Sequence, residues 1–214
     1  MKTDDLVTLL ATGVKPVDRH VALKSFILAL ALGGAGAVLL LAIAFGLRPD
    51  IMQVLVLPIF WIKVAFPLGV AVAATHVLRR LMVPGATIGV RWAAPTLPVL
   101  AAWAGALVIL ANASGAAEQA SLILGRTWRT CPLNIALLSL PLFVSVHWAV
   151  RQMAPTHLRA AGAMAGLLAG ATATIVYCLH CPEMEVPFWA VWYLAGMLIP
   201  TVLGGLLGPR ILRW

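Results

Sequence analysis

The sequence predicts an all-α membrane protein, a bundle of six transmembrane helices with both termini on the cytoplasmic side. Of its 214 residues, 62% are hydrophobic and only 10% are charged, and long apolar stretches recur along the chain. A helix needs about twenty apolar residues to cross the roughly 30 Å hydrocarbon core of a bilayer, and these stretches are of that length. The composition excludes an ordinary soluble domain.

The first 25 residues predict a short cytoplasmic leader with one amphipathic helix. Thr3 or Asp4 can cap this helix, and Gly13 followed by Pro16 ends it. A helix of about two and a half turns is marginal alone in water, so it needs a partner protein, the membrane surface or its own bundle. No small-residue cleavage site follows a short apolar core, so the leader does not match a removable signal peptide.

Six apolar stretches make residues 26–214 the predicted membrane domain. Their ranges are residues 26–47, 52–78, 93–111, 133–150, 160–179 and 188–207. In the fifth stretch, Gly162, Gly166 and Gly170 follow one another at a spacing of four, which places them on one helix face. Because glycines let a second helix approach closely, we expect this span to lie at the centre of the bundle.

Basic residues predict the orientation of the bundle. With the N-terminus inside, the cytoplasmic segments hold eleven Lys and Arg residues and the outer loops hold three. This excess predicts cytoplasmic N- and C-termini. The formal charge of +8 then indicates topology and an affinity for anionic lipid headgroups, because no basic stripe interleaved with aromatic residues suggests direct nucleic-acid binding.

Lys63 is the only charged residue deep inside a predicted span. Pro67, four residues later, cannot donate to the carbonyl of Lys63, which predicts a kink in the second span. No predicted span contains an acidic residue. The ammonium therefore has to snorkel, meet freed carbonyls or water, or lose its proton, and both a structural and a direct functional role stay open.

Three cysteines lie at the predicted outer ends of spans. Cys131 precedes Pro132 at the start of the fourth span, which predicts an N-cap position. There the helix dipole stabilises a thiolate, so we expect Cys131 to be the more reactive thiol. Cys181, followed by Pro182, comes after the fifth span, where the dipole disfavours an anion. Its thiolate needs a metal, a nearby positive charge or oxidation.

The segment of residues 178–185 enlarges this cluster with Cys178, His180 and Met184. Thiolate, thioether and imidazole together favour soft or borderline ions such as Cu(I), Zn(II) or Cd(II), and Cys131 is a further candidate ligand. A structural disulfide between two of the three cysteines, or buried inert thiols, are the alternatives. No zinc-protease, phosphate-loop or serine-hydrolase motif is present, so we expect neither an enzyme nor a resident cofactor.

The arrangement of leader, spans and cysteines resembles the NrsF family of bacterial inner-membrane anti-sigma factors, over essentially the whole chain. The residues that carry the likeness are the leader from Asp4-Asp5-Leu6-Val7 to Pro16-Val17-Asp18-Arg19 and the pairs Cys131-Pro132 and Cys181-Pro182. The resemblance implies a protein that holds an extracytoplasmic-function (ECF) sigma factor at the membrane. It also implies release when heavy metal or redox stress reaches the periplasmic cysteines, carried over as Cys131 and Cys181. Cys178 and His180 leave open a two-thiol or a richer ligand set.

The expected partners are an ECF sigma factor at the cytoplasmic face and membrane lipids. The residues predicted to bind the sigma factor are Asp4, Asp5, Leu6, Leu9, Leu10, Pro16 and Arg19. One alternative is a membrane thiol-disulfide oxidoreductase that uses Cys178 and Cys181 with a quinone, although three thiols are one fewer than a two-pair relay uses. Another is a small metal or solute permease around Lys63, which the lack of an intramembrane carboxylate disfavours.

Overall fold

The structure, a computed structural model, describes residues 3–12, 21–83 and 89–213, excluding the side chains of residues 9, 21 and 22. Within those ranges the chain is helical and has no strand, which confirms the all-α prediction. The α-helices are α1 (Thr3–Ala11), α2 (Val21–Ala44), α3 (Ile51–Val54), α4 (Pro58–Leu81), α5 (Thr96–Ala111), α6 (Ala116–Leu124), α7 (Cys131–Arg151), α8 (Leu158–Tyr177) and α9 (Val186–Ile211). A short 3₁₀ helix, Gly89–Ala93, precedes α5.

Five of these helices are long and apolar enough to cross a membrane: α2 from Leu23 onward, α4, α7, α8 and α9. The helix in the third predicted span, α5, is apolar but has only 16 residues. At 1.5 Å per residue it is about 24 Å long, less than the roughly 30 Å hydrocarbon core. The six-span count and the orientation therefore stay predictions.

Two predicted helix boundaries are wrong. The second span was expected to be continuous from Met52, but α3 ends at Val54 and α4 begins at Pro58. Proline suits a first helical turn because it has no N–H to leave unbonded there. Lys63 consequently lies in the second turn of α4 and not at the middle of a span. Cys131 is the first residue of α7, after Thr130 at the N-cap, so its predicted N-cap position is wrong by one residue.

The glycine-rich helix α8 is the most buried of the five long helices, as its glycine spacing predicted. A Cβ added to Gly162 would collide with the carbonyl oxygen of Gly204, and one added to Gly166 would collide with that of Pro200. These glycines let the backbones of α8 and α9 approach directly. Helices α4 and α7 also pack on α8, and α2 packs mainly on α7.

The bundle has two chemically different ends. One, which we call the sulfur end, holds the three cysteines, at the start of α7 and in the turn between α8 and α9. Contacts there reach the α2–α3 loop, where Arg48 N–H donates to the Leu179 carbonyl at 3.2 Å. The opposite, basic end carries charges at the ends of α2, α4, α7, α8 and α9: Lys24, Arg79, Arg80, Arg151, Arg159 and Arg210.

Candidate functional site

The two cysteines of the Cys-Pro pairs meet at the sulfur end. Cys131 and Cys181 are fully buried, neither is in a disulfide, and they are close enough for Cys131 to lower the pKa of Cys181. The turn that carries Cys181 continues from the last turn of α8, because its N–H donates to the Tyr177 carbonyl at 3.0 Å. Pro182 then prevents the helix from continuing. The structure thus brings together the pair that the family resemblance implied.

Two cations hold the main chain at Cys181. The Lys63 ammonium is fully buried and donates to the carbonyl of Cys181 at 2.8 Å and to that of Glu183 at 2.7 Å. Arg48 donates to the Cys181 carbonyl as well, at 3.3 Å, and forms a salt bridge with Asp50 at 2.7 Å. The sequence left three possibilities for the Lys63 ammonium: snorkelling, contact with freed carbonyls or water, and loss of its proton. The structure shows contact with carbonyls, which belong to the cysteine turn and not to its own helix.

The surroundings of Cys181 favour its thiolate. Around its sulfur lie Cys131, Tyr193 and the main chain of Glu183, which all favour the ionised form of Cys181. The Cys131 hydrogen bond and the positive charge of Lys63 lower the pKa of Cys181 to about 6, against the effect of its burial. We expected the helix dipole to make Cys131 the more reactive thiol. The neighbouring Cys131 and the charge of Lys63 instead favour Cys181 as the thiolate, because both lower its pKa.

Glu183 fastens the cysteine turn to the loop between α6 and α7. Its carboxylate accepts hydrogen bonds from the N–H groups of Arg126 at 2.7 Å and Thr127 at 3.1 Å, and from the Thr127 hydroxyl at 3.3 Å. Gly125 has a φ of 53°, and a Cβ there would lie 2.8 Å from the Glu183 carboxylate. Glycine is therefore needed where this loop meets the turn.

The other predicted ligands contact different groups. The Cys178 sulfur lies 4.0 Å from the Tyr193 hydroxyl, and Nδ1 of His180 lies 3.0 Å from the carbonyl oxygen of Gly46. Met184 is half-buried against the core. Among the described residues, no group of three or more His, Cys, Asp or Glu side chains is placed to hold a metal ion. The described site therefore offers two adjoining sulfurs, and a richer ligand set stays a prediction.

Sequence reasoning missed two residues of this site, Arg48 and Tyr193, and gave no role to Glu183, which it noted only as an acid near the cysteines. The topology argument uses Arg48 only as one of three basic residues in the predicted outer loops. Asp50 follows it two residues later. That spacing was the available signal for its salt bridge. Tyr193, whose ring centroid lies 5.6 Å from the Lys63 ammonium, gave no signal in the sequence beyond an aromatic residue in an apolar helix.

The predicted partner-binding residues lie on α1 where they are described. Asp4, Asp5, Leu6 and Leu10 are all exposed there. The exposed fractions of the leucine side chains, 40% for Leu6 and 67% for Leu10, leave an apolar side available on this helix. Pro16, Arg19 and the Leu9 side chain fall outside the described residues.

Comparison with known proteins identifies the family. The family model for "Negative regulator of sigma F" (NrsF) matches residues 10–214. The chain is 47% identical to "Probable anti-sigma-F factor NrsF" of Azospira oryzae and 34% identical to "Anti-sigma-F factor NrsF" of Caulobacter vibrioides, each over the full length of both chains. No solved structure matches the chain. From its leader to its last helix, the chain belongs to the NrsF family of negative regulators of sigma F.

Proposed function

We propose that this chain is an integral-membrane anti-sigma factor that holds an ECF sigma factor at the cytoplasmic face of the bacterial inner membrane. Metal or oxidative stress at Cys131 and Cys181 releases the sigma factor. Family membership and the names of the two relatives support the anti-sigma activity. The observation that carries the sensing half is that Cys131 and Cys181, both buried and in no disulfide, are neighbours at the sulfur end. The same membership argues against the oxidoreductase and permease alternatives.

The proposed topology has six spans with both termini in the cytoplasm, α5 being the short third span. Basic side chains concentrate at the end of the bundle opposite the cysteines. Basic residues flanking spans stay in the cytoplasm, so the sulfur end faces the periplasm. That compartment permits thiol oxidation, whereas the cytosol keeps thiols reduced.

The cysteine pair suits two signals. In oxidation, the S–H bonds of Cys131 and Cys181 break, one S–S bond forms, and two electrons and two protons pass to an oxidant such as the diazene diamide. In metal binding, both sulfurs lose their protons and coordinate a soft ion such as Cu(I), with Cd(II) or Zn(II) requiring further ligands. Both reactions join two sulfurs that no covalent bond links in the structure.

The leader helix α1 is the proposed contact with the sigma factor. Its exposed leucines, Leu6 and Leu10, offer an apolar stripe, and Asp4 and Asp5 add negative charge in its first turn. Sigma factors bind DNA phosphates through basic surfaces, which an acidic helix complements. For the signal to reach α1, the changed cysteine pair must favour a different packing of the bundle. Reversing a 1:99 ratio of two bundle conformations to 99:1 takes a difference of about 5.5 kcal/mol in the free energy with which the signal binds them.

The test is retention of the sigma factor by full-length protein carrying Cys131→Ser or Cys181→Ser, with Cys178→Ser as matched control. We expect wild type and Cys178→Ser to release co-purified sigma factor when diamide is added. The other two variants should keep it, because neither can form the Cys131–Cys181 bond. Quantitative blotting of the bound sigma factor measures the difference. Release from both single variants at the wild-type level would contradict the proposed sensor.

A further inference from the structure

Lys63 makes contacts that the proposed function does not yet use. Its side chain is fully buried, and it reaches from the second turn of α4 to the turn between α8 and α9. There it binds one carbonyl on each side of Pro182, those of Cys181 and Glu183. The ring of Tyr193 covers the ammonium, with its centroid 5.6 Å from Nζ.

No acidic side chain among the described residues forms a salt bridge with this ammonium. The Glu183 carboxylate accepts from the amides of Arg126 and Thr127, and the Asp50 carboxylate pairs with Arg48. A buried lysine at membrane depth is costly, and a methionine would fill a similar volume without that cost. The property that distinguishes lysine here is its set of N–H donors, two of which bind the cysteine turn.

The bound carbonyls determine where Cys181 points. Pro182 has no N–H, and the main-chain bonds of the turn, which include those from the N–H groups of His180 and Cys181 to the Tyr177 carbonyl, lie before it. Holding both carbonyls fixes the main chain on either side of Pro182, and with it the backbone that carries the Cys181 side chain.

We infer that Lys63 is a positioning residue for the cysteine pair: by binding the carbonyls of Cys181 and Glu183, it holds the Cys181 sulfur against Cys131. The inference rests on the proposed function in taking this pair as the sensing site. The test measures only the exchange of the cysteine turn and the yield of the bond between the two sulfurs. A failure of the inference about Lys63 can therefore be distinguished from a failure of sigma-factor binding.

The experiment compares Lys63→Met, which removes the donors, with Lys63→Arg, which keeps donors and charge. Ile62→Met, an exposed neighbour on α4, is the matched control. Full-length proteins in lipid nanodiscs are analysed by hydrogen–deuterium exchange and by the yield of the Cys131–Cys181 bond after exhaustive diamide treatment. In Lys63→Met we expect amide exchange in residues 178–185 to rise about tenfold or more, because the turn opens locally. Exchange within α8 should stay unchanged.

We expect Lys63→Met to lose most of the Cys131–Cys181 bond, Lys63→Arg to recover much of it, and Ile62→Met to match wild type. Wild-type exchange and bond yield in Lys63→Met would overturn the inference, as would equal losses in Lys63→Arg. Should Lys63→Met fail to give a monodisperse protein, Lys63→Leu, which also lacks donors, replaces it with the same criteria. If wild type forms no Cys131–Cys181 bond, oxidation sensing fails, while the exchange data still decide the role of Lys63.

Discussion

At Cys181, a buried thiol is surrounded by donors and positive charge. Cys131 lowers the pKa of its thiol, and Lys63 and Arg48 both bind its carbonyl oxygen. Helix position alone predicted the opposite, since Cys181 follows the end of α8 and the dipole there disfavours an anion. Neighbouring groups from three other elements outweigh the dipole, so the local sequence is a poor guide to the reactivity of this residue.

This environment predicts an unusual pH dependence for alkylation of Cys181. Only the thiolate reacts, and the pKa of Cys181 is lowered to about 6. We therefore expect the alkylation rate to rise about tenfold per pH unit below pH 6 and then to level off. Burial raises the pKa of Cys178 to about 12, so its rate should stay low throughout. Mass spectrometry of peptides alkylated with iodoacetamide measures both rates in one sample.

Replacing the donor gives the control for this pH profile. Cys131→Ala removes the neighbour that lowers the pKa of Cys181 most, so the pH midpoint of Cys181 alkylation should rise. Cys178→Ala should leave that midpoint unchanged. A wild-type midpoint near the value of a free cysteine, about 8.5, would contradict the assignment of Cys181 as the thiolate.

How much of the site the sequence predicted depends on the distance between partners along the chain. The Cys-Pro pairs marked Cys131 and Cys181, because a proline after a cysteine at a helix end is a local signal. The contact of Lys63 with the turn joins residues 118 positions apart in the chain, and no local pattern specifies it. Glu183 was visible as an acid near the cysteines, but its bond to Arg126 depends on where α6 and its loop pack.

Among the elements, the crossing of α8 and α9 was the best predicted and the start of α4 the worst. The four-residue glycine spacing is a property of one helix face, so it predicted close packing before any partner was known. The start of α4 was missed because the apolar stretch is continuous across Leu55, Val56 and Leu57, and hydropathy alone cannot detect a break there. The helix α6 was also missed, since it lies within a predicted loop.

The α8–α9 crossing predicts a severe effect for a small substitution. Gly166→Ala places a methyl group against the carbonyl oxygen of Pro200, which is backbone and cannot rotate away, so the helices must separate. We expect a fall of several degrees in the thermal unfolding midpoint in detergent, for a loss on the order of 1–3 kcal/mol. Gly34→Ala is the control, because nothing lies within 4 Å of its added methyl group. Equal midpoints for the two variants would show that the crossing is looser than described.

The leader helix α1 predicts where sigma-factor binding can be removed without harm to the bundle. Leu6→Asp with Leu10→Asp places charges on the exposed apolar side, and we expect co-purified sigma factor to fall at least about tenfold, since buried apolar anchors dominate such interfaces. Thr8→Ala, on the opposite side of the helix, is the matched control. Undiminished binding by the double variant would move the interface away from α1.

At the scale of the whole molecule, the separation of sulfur end and basic end makes the signalling proposal physically coherent. A change at Cys131 and Cys181 acts on the first turn of α7 and on the turn joining α8 to α9. Helix α8 lies at the centre of the bundle, and its glycine contacts with α9 hold two backbones together over their length. Because such packed interfaces deform in discrete steps, a shift at one end can be transmitted toward the other.

The orientation of the bundle and the status of α5 are decided together by one labelling experiment. Single cysteines are introduced, one at a time, into a chain without native cysteines. Val90→Cys lies before α5, Ser114→Cys lies after α5, and Thr156→Cys lies in the turn between α7 and α8. All three positions are exposed. With α5 as a span and the basic end inside, an impermeant maleimide should label only Ser114→Cys in intact cells. The other two should react after permeabilisation, which provides the control for reactivity. The same labelling result for Val90→Cys and Ser114→Cys would mean that α5 does not cross, and labelling of Val90→Cys and Thr156→Cys without Ser114→Cys would invert the bundle and place the cysteine pair in the cytosol.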